Sequence, residues 1–197
     1  MSKLRSILAL LLVSSVLLLT ACGRPYQYTA TVLEPAKQVT DFTINDQNGQ
    51  PFTLSAQQGK VTLIFFGYTN CPDFCPTTMG DWKQVKQLLG EDAANVRFVL
   101  LSVDPQRDTP EALKQYLDHF DPSFIGLRPS QEQLDQLSQE YGVGADAHTQ
   151  HMEVADPTRH GTYSYAIDQS GRWRLLFSYG THPEQIADDL KQLLQSS

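Results

Sequence analysis

The sequence predicts an α/β domain with a central mixed sheet flanked by helices, plus an N-terminal β-hairpin. Three observations point there. Two continuous apolar runs, VTLIFFGY (61–68) and VRFVLLSVD (96–104), read as central strands buried on both faces. Each is followed by a helical pattern, the arrangement that builds parallel strands joined by crossover helices. The chain then closes with a strand pair and an amphipathic helix, which implies an antiparallel edge on the same sheet.

The elements follow in order. In VTDFTIND, Val39, Phe42 and Ile44 are apolar among polar neighbours, and Asn48-Gly49 then signals a hairpin turn into PFTLS. Gln58-Gly59-Lys60 leads into the first central strand. Met79, Trp82, Val85, Leu88 and Leu89 recur at helical spacing, and Gly90 closes that helix. After the second central strand, Thr109 is a cap and Pro110 a first helical residue, with Ala112, Leu113, Tyr116, Leu117 and Phe120 facing inward. SFIGL is a short strand. QEQLDQLSQEYGV is a helix with Leu134, Leu137 and Tyr141 inward. Residues 142–161 are polar and irregular and hold three of the five histidines. TYSYAID and GRWRLLFSY form a hairpin over Gln169-Ser170-Gly171. HPEQIADDLKQLLQSS ends the chain as a helix with Ile186, Leu190, Leu193 and Leu194 inward.

The first residues read as an address. Lys3 and Arg5 precede ILALLLVSSVLLL and a small-residue end, Thr20-Ala21-Cys22, the make-up of an export signal. LTAC resembles the bacterial lipoprotein signal, which makes residues 1–21 a signal peptide and Cys22 the lipid-bearing residue. Residues 22–38, polar with scattered proline, then read as lipid anchor and tether, and 39–197 as the domain. The expected location is exported and lipid-anchored to a bacterial membrane, facing the periplasm or cell exterior. Loss of the leader leaves 13 basic against 22 acidic residues, a net charge near −9. No basic patch with interleaved aromatics is present, so nucleic acid is excluded as a partner, as is charge-driven binding to an anionic membrane.

With Cys22 lipidated, two cysteines remain, in GYTNCPDFCPTT. An oxidising compartment permits a disulfide, but a loop this small gives little stabilisation. Cys71 and Cys75 lie where a central strand ends and a helix begins, the edge at which open α/β sheets place their sites. A helix start lowers thiol pKa values. A helical turn from 71 to 75 would set both sulfurs on one face, able to hold one ion or to oxidise together. Two thiolates form a soft site that selects Cu(I), and a further ligand, imidazole by expectation, has to come from elsewhere. His160, just before TYSYAID, is the best candidate. HTQHM (His148, His151, Met152) reads as a second copper site or a polar loop, His182 as a packing or capping residue, and His119 as surface. In SVDPQRDTP, Asp104 at the strand tip is a candidate to support a metal or thiol from behind. Asp108 reads as turn and capping chemistry.

A dithiol at a strand-to-helix junction, followed by this element order, resembles the thioredoxin fold, although thioredoxin-type reductases space their cysteines by two residues and this chain by three. GYTNCPDFCPTT, VDPQRDTP and the histidine eleven residues before the glycine in HGTYSYAIDQSG together resemble the Sco/SenC copper proteins, in order and at fitting spacing over residues 38–195. The resemblance implies a thioredoxin-like fold, copper as Cu(I) or Cu(II) held by Cys71, Cys75 and His160, and a role in assembling the copper centre of cytochrome c oxidase. The partner would be the oxidase subunit carrying that centre, or another copper chaperone. Arg159 departs from the pattern and makes the site less negative. Three other readings compete. A thiol–disulfide oxidoreductase without a metal would use Cys71 and Cys75 as a redox pair and dispense with His160. A peroxiredoxin-like peroxidase would need threonine where Pro72 stands. A plain binding module would leave the paired thiols idle.

Overall fold

The computed structural model describes residues 26–143 and 163–196. Eight strands and four α-helices follow in order: β1 Thr31–Gln38, β2 Thr43–Asn45, β3 Pro51–Thr53, β4 Val61–Gly67, α1 Phe74–Leu89, β5 Val96–Ser102, α2 Pro110–Asp118, β6 Ile125–Leu127, α3 Gln131–Tyr141, β7 Tyr163–Ile167, β8 Arg172–Ser178 and α4 Pro183–Gln195. Six strands form the main sheet in the order β1-β8-β7-β4-β5-β6. β4 pairs with β5, and β5 with β6, in parallel. β7 is antiparallel to β4, and β8 and β1 continue antiparallel. This is the mixed sheet the sequence predicts. β2 and β3 form the expected hairpin as a separate sheet, with Gly49 at φ 74° in the turn.

Two expectations are corrected. Residues 31–38, read as tether, are an edge strand of the sheet. They lack apolar alternation because an edge strand buries little, and Pro35 is tolerated there because an edge leaves N–H groups unpaired. The preceding residues are also fixed. The fully buried Asp189 of α4 accepts from Tyr26 Oη at 2.8 Å, Thr29 N at 3.2 Å and Ala30 N at 2.8 Å. The closing hairpin β7–β8 is therefore interior, with β1 covering its outer side.

Every residue of β4 is buried, as its unbroken apolar run requires. Successive side chains take opposite faces. Phe65 meets Trp82 of α1, whereas Phe66 meets Tyr141 of α3 and Tyr165 of β7. The parallel steps β4–α1–β5 and β5–α2–β6 advance in the same direction, so right-handed crossovers place α1 and α2 on one face. Lys86 of α1 pairs with Asp121, just beyond α2, at 2.7 Å. α3 covers the other face. Its start is a capping box between Ser130 and Gln133, and Gly142 ends it in the left-handed region.

Candidate functional site

β4 delivers the chain to the edge where the parallel strands end, and the cysteines follow at once. Cys71 is 6 % exposed and Cys75 fully buried, both as free thiols. Pro72 and Asp73, which follow Cys71, are not helical. Asp73 has φ −142°, and α1 begins at Phe74. Helical periodicity therefore does not place the sulfurs. Instead the Cys75 N–H donates to Cys71 Sγ at 3.3 Å, so a donor that the helix start leaves orphaned is met by sulfur. Pro76 falls in the first turn, where its missing N–H loses no bond. Gly67, the last residue of β4, permits this packing: a methyl group there would lie 3.0 Å from Cys75 Sγ and 2.6 Å from Phe65 Cε1.

The thiol chemistry departs from the helix-start expectation. Burial pushes the Cys75 thiol well above its ordinary range, a hydrogen bond with the Tyr68 backbone opposes this, and Cys71 and Asp108 push the same way as burial. Desolvation outweighs the helix start because the sulfur lies inside the core, not at its rim.

The acids exchange roles. Asp104 turns to an ion pair with Arg107, and both line a cavity of about 620 Å³ between the end of β5 and α3. Asp108 is fully buried and does not cap α2. That role belongs to Thr109, whose hydroxyl accepts from Ala112 N at 3.2 Å. Asp108 instead accepts from Thr69 N at 3.2 Å, Thr69 Oγ1 at 2.6 Å and Ser102 Oγ at 2.6 Å. It ties the loop entering Cys71 to the end of β5. A signal was present: Thr69 and Ser102 both stand at ends of apolar runs and bring hydroxyls that need a shared acceptor once buried.

His182 is the N-cap of α4, its N–H donating to Gln185 Oε1 at 3.3 Å. His119 ends α2 on the surface, with Nδ1 2.7 Å from Gln115 O. Neither joins the cysteines. Cys22, His148, His151, Met152, Arg159 and His160 lie outside the described residues. Among the described residues no group of three His, Cys, Asp or Glu side chains could hold a metal, so the dithiol would need a ligand from elsewhere. Among them, too, no helix is long and apolar enough to cross a membrane. Beside the cysteines, Phe74 packs edge-on against Tyr179, which is exposed.

Comparison with known proteins agrees with this architecture. The SCO1/SenC family model matches residues 30–195. An SCO2-like protein of Rickettsia conorii is 34 % identical over 152 residues, covering 77 % of this chain and 74 % of that one. The structure of Bradyrhizobium japonicum ScoI with copper bound matches with TM-score 0.67 at 37 % identity, over 79 % of this chain and 99 % of that one. The solution structure of apo Sco1 from Thermus thermophilus matches with TM-score 0.72 at 34 % identity, over 87 % and 99 %.

Proposed function

This chain belongs to the SCO1/SenC family, and on that premise we propose that it is an exported, membrane-tethered copper chaperone serving assembly of the cytochrome c oxidase copper centre. The observation that carries the reading is the pair of buried free thiols joined by the Cys75 N–H to Cys71 Sγ bond at the end of the central strand. Two soft donors in a site this dry suit a soft monovalent cation better than a hard one. Copper is the cargo. Cys71, Cys75 and His160 are its ligands, and the ion displaces the thiol protons as it binds. The ion leaves by ligand exchange with a partner's donors. Cys22 carries the lipid after removal of residues 1–21, and the tether shortens to the few residues before Tyr26.

Copper binding to the purified reduced protein tests this, with Cys71→Ala, Cys75→Ala and His160→Ala beside it. The expected result is one copper per chain, lost in either cysteine variant and weakened in the histidine variant. A reversible Cys71–Cys75 disulfide with no copper retained would move the protein to thiol–disulfide exchange, the two thiols giving two electrons and two protons to a partner disulfide. His160 would then be dispensable.

A further inference from the structure

A small cleft lies beside the dithiol, between the first turns of α1 and the loop that joins β8 to α4. Thr78 and Asp81 of α1 line one side, and Ser178, Tyr179 and Thr181 line the other. Its volume is about 20 Å³, room for a single group the size of water or ammonium. Phe74, Thr78 and Asp81 are four and three residues apart, so they share one face of α1. Phe74 immediately precedes Cys75, and its ring meets that of Tyr179 edge-on at 4.8 Å. Tyr179 is 40 % exposed, so an aromatic ring stands between the cleft and solvent, next to the dithiol.

The chemistry of the lining favours a cation. The Thr78 hydroxyl donates to Phe74 O at 2.8 Å, and the Thr181 hydroxyl donates to Ser178 O at 2.8 Å. Both hydroxyls spend their hydrogens on the backbone and keep lone pairs that accept. Asp81 is half-buried, and burial raises its carboxyl, with His182 beside Thr181 opposing the rise. No lysine or arginine among the described residues lines the cleft, and Asp81 forms no ion pair among them. A partly desolvated carboxylate therefore lacks a strong base of its own. The whole chain carries a net charge of −7, which draws a positive partner from a distance. An ammonium group is compact, whereas a guanidinium is a broad planar fork, so the volume selects lysine over arginine. The Tyr179 ring adds a face on which such a cation rests favourably.

We propose that this cleft is a docking point for a lysine of the protein that receives the cargo, its ammonium seated against Asp81 beside the ring of Tyr179. The inference rests on the copper-chaperone reading. It deepens that reading by giving the receiving protein a recognisable feature, a lysine close to its copper-binding donors. A lysine held there brings those donors to the residues next to Cys75. The contact speeds the hand-over without strengthening the hold on copper.

The test loads the full-length protein with Cu(I) and follows transfer to short dithiol peptides. One lysine is walked along the peptide, and a matched set carries uncharged acetyl-lysine at the same positions. At one or two positions the lysine peptide should take copper about tenfold faster than its acetylated match at low salt. Asp81→Asn should abolish that advantage, and Tyr179→Leu should reduce it. Both variants should keep the parent's Cu(I) affinity and melting temperature. Three results overturn the docking point: no position favours lysine, every position favours it equally, or folded Asp81→Asn keeps the advantage. The second would mean long-range attraction without a seat. A parent that binds no copper instead removes the chaperone reading on which the inference stands.

Discussion

Each end of the sheet is organised by a buried aspartate, and the two are treated differently. At the end away from the cysteines, Asp168 closes the β7–β8 turn. It is 3 % exposed and accepts from Ser170 N, Ser170 Oγ, Arg172 N and Arg172 Nε, with Arg172 Nη2 at 3.0 Å and Arg174 Nη1 at 3.9 Å. At the dithiol end, Asp108 is fully buried and accepts from Thr69 and Ser102 alone, with no cation partner among the described residues. The structural turn neutralises its acid. The site edge keeps an acid that only neutral donors satisfy, beside two sulfurs that would take up a cation. A buried carboxyl met only by neutral donors would gain from a cation bound nearby, which the proposed copper site would supply.

The comparison is tested most severely by Asp108→Ala. It strands the Thr69 and Ser102 donors in the core and frees the loop entering Cys71. A loss of about 3 kcal/mol in chemical denaturation of the copper-free protein is expected, with copper binding lost as well. Asp108→Asn sharpens the point. It keeps a side chain of the same shape, so copper affinity should fall by more than stability does. Equal loss of both would make Asp108 a structural acid like Asp168.

The glycines at the two ends differ in the same sense. Gly67 is demanded by packing against Cys75, so Gly67→Ala should cost about 2 kcal/mol and disturb copper binding. Gly171 sits at φ +80° with only Gln58 Nε2 at 3.8 Å. Gly171→Ala should cost about 1 kcal/mol through backbone conformation, with copper binding untouched.

Acid titration gives the next contrast. Burial raises the Asp168 carboxyl, but bonds from the Arg172 and Ser170 backbones and side chains outweigh it and hold the group below the usual carboxylate range. Its folded value lies below its unfolded one. Its stabilisation is therefore present above pH ~4 and lost as the pH falls further. Asp168→Asn should flatten the acid limb of the stability–pH curve and leave copper affinity at neutral pH unchanged. The smallest effect is expected at Tyr26→Phe, which removes one bond to Asp189 and should lower stability by about 1 kcal/mol.

Much of the fold was legible because its signals are local. The apolar runs at 61–68 and 96–104, the Thr109-Pro110 helix start and the Asn48-Gly49 turn report backbone preferences and burial that neighbours in the chain decide. β1 was not legible. An edge strand with one partner shows no apolar alternation, and its partner β8 lies more than 130 residues later in the sequence. At the site, the pairing of Cys71 with Cys75 was readable from spacing. The route by which they meet was not, because it runs through an N–H···S bond across a non-helical turn.

The kinds and order of the elements from β2 onward, the dithiol and its place at a strand end are therefore properties of sequence, since each depends on residues a few positions apart. The depth of Cys75, the upward push on its thiol and the choice of Asp108 over Asp104 arise only in three dimensions. Each depends on which strands and helices become neighbours, and burial sums contributions from segments far apart in the chain.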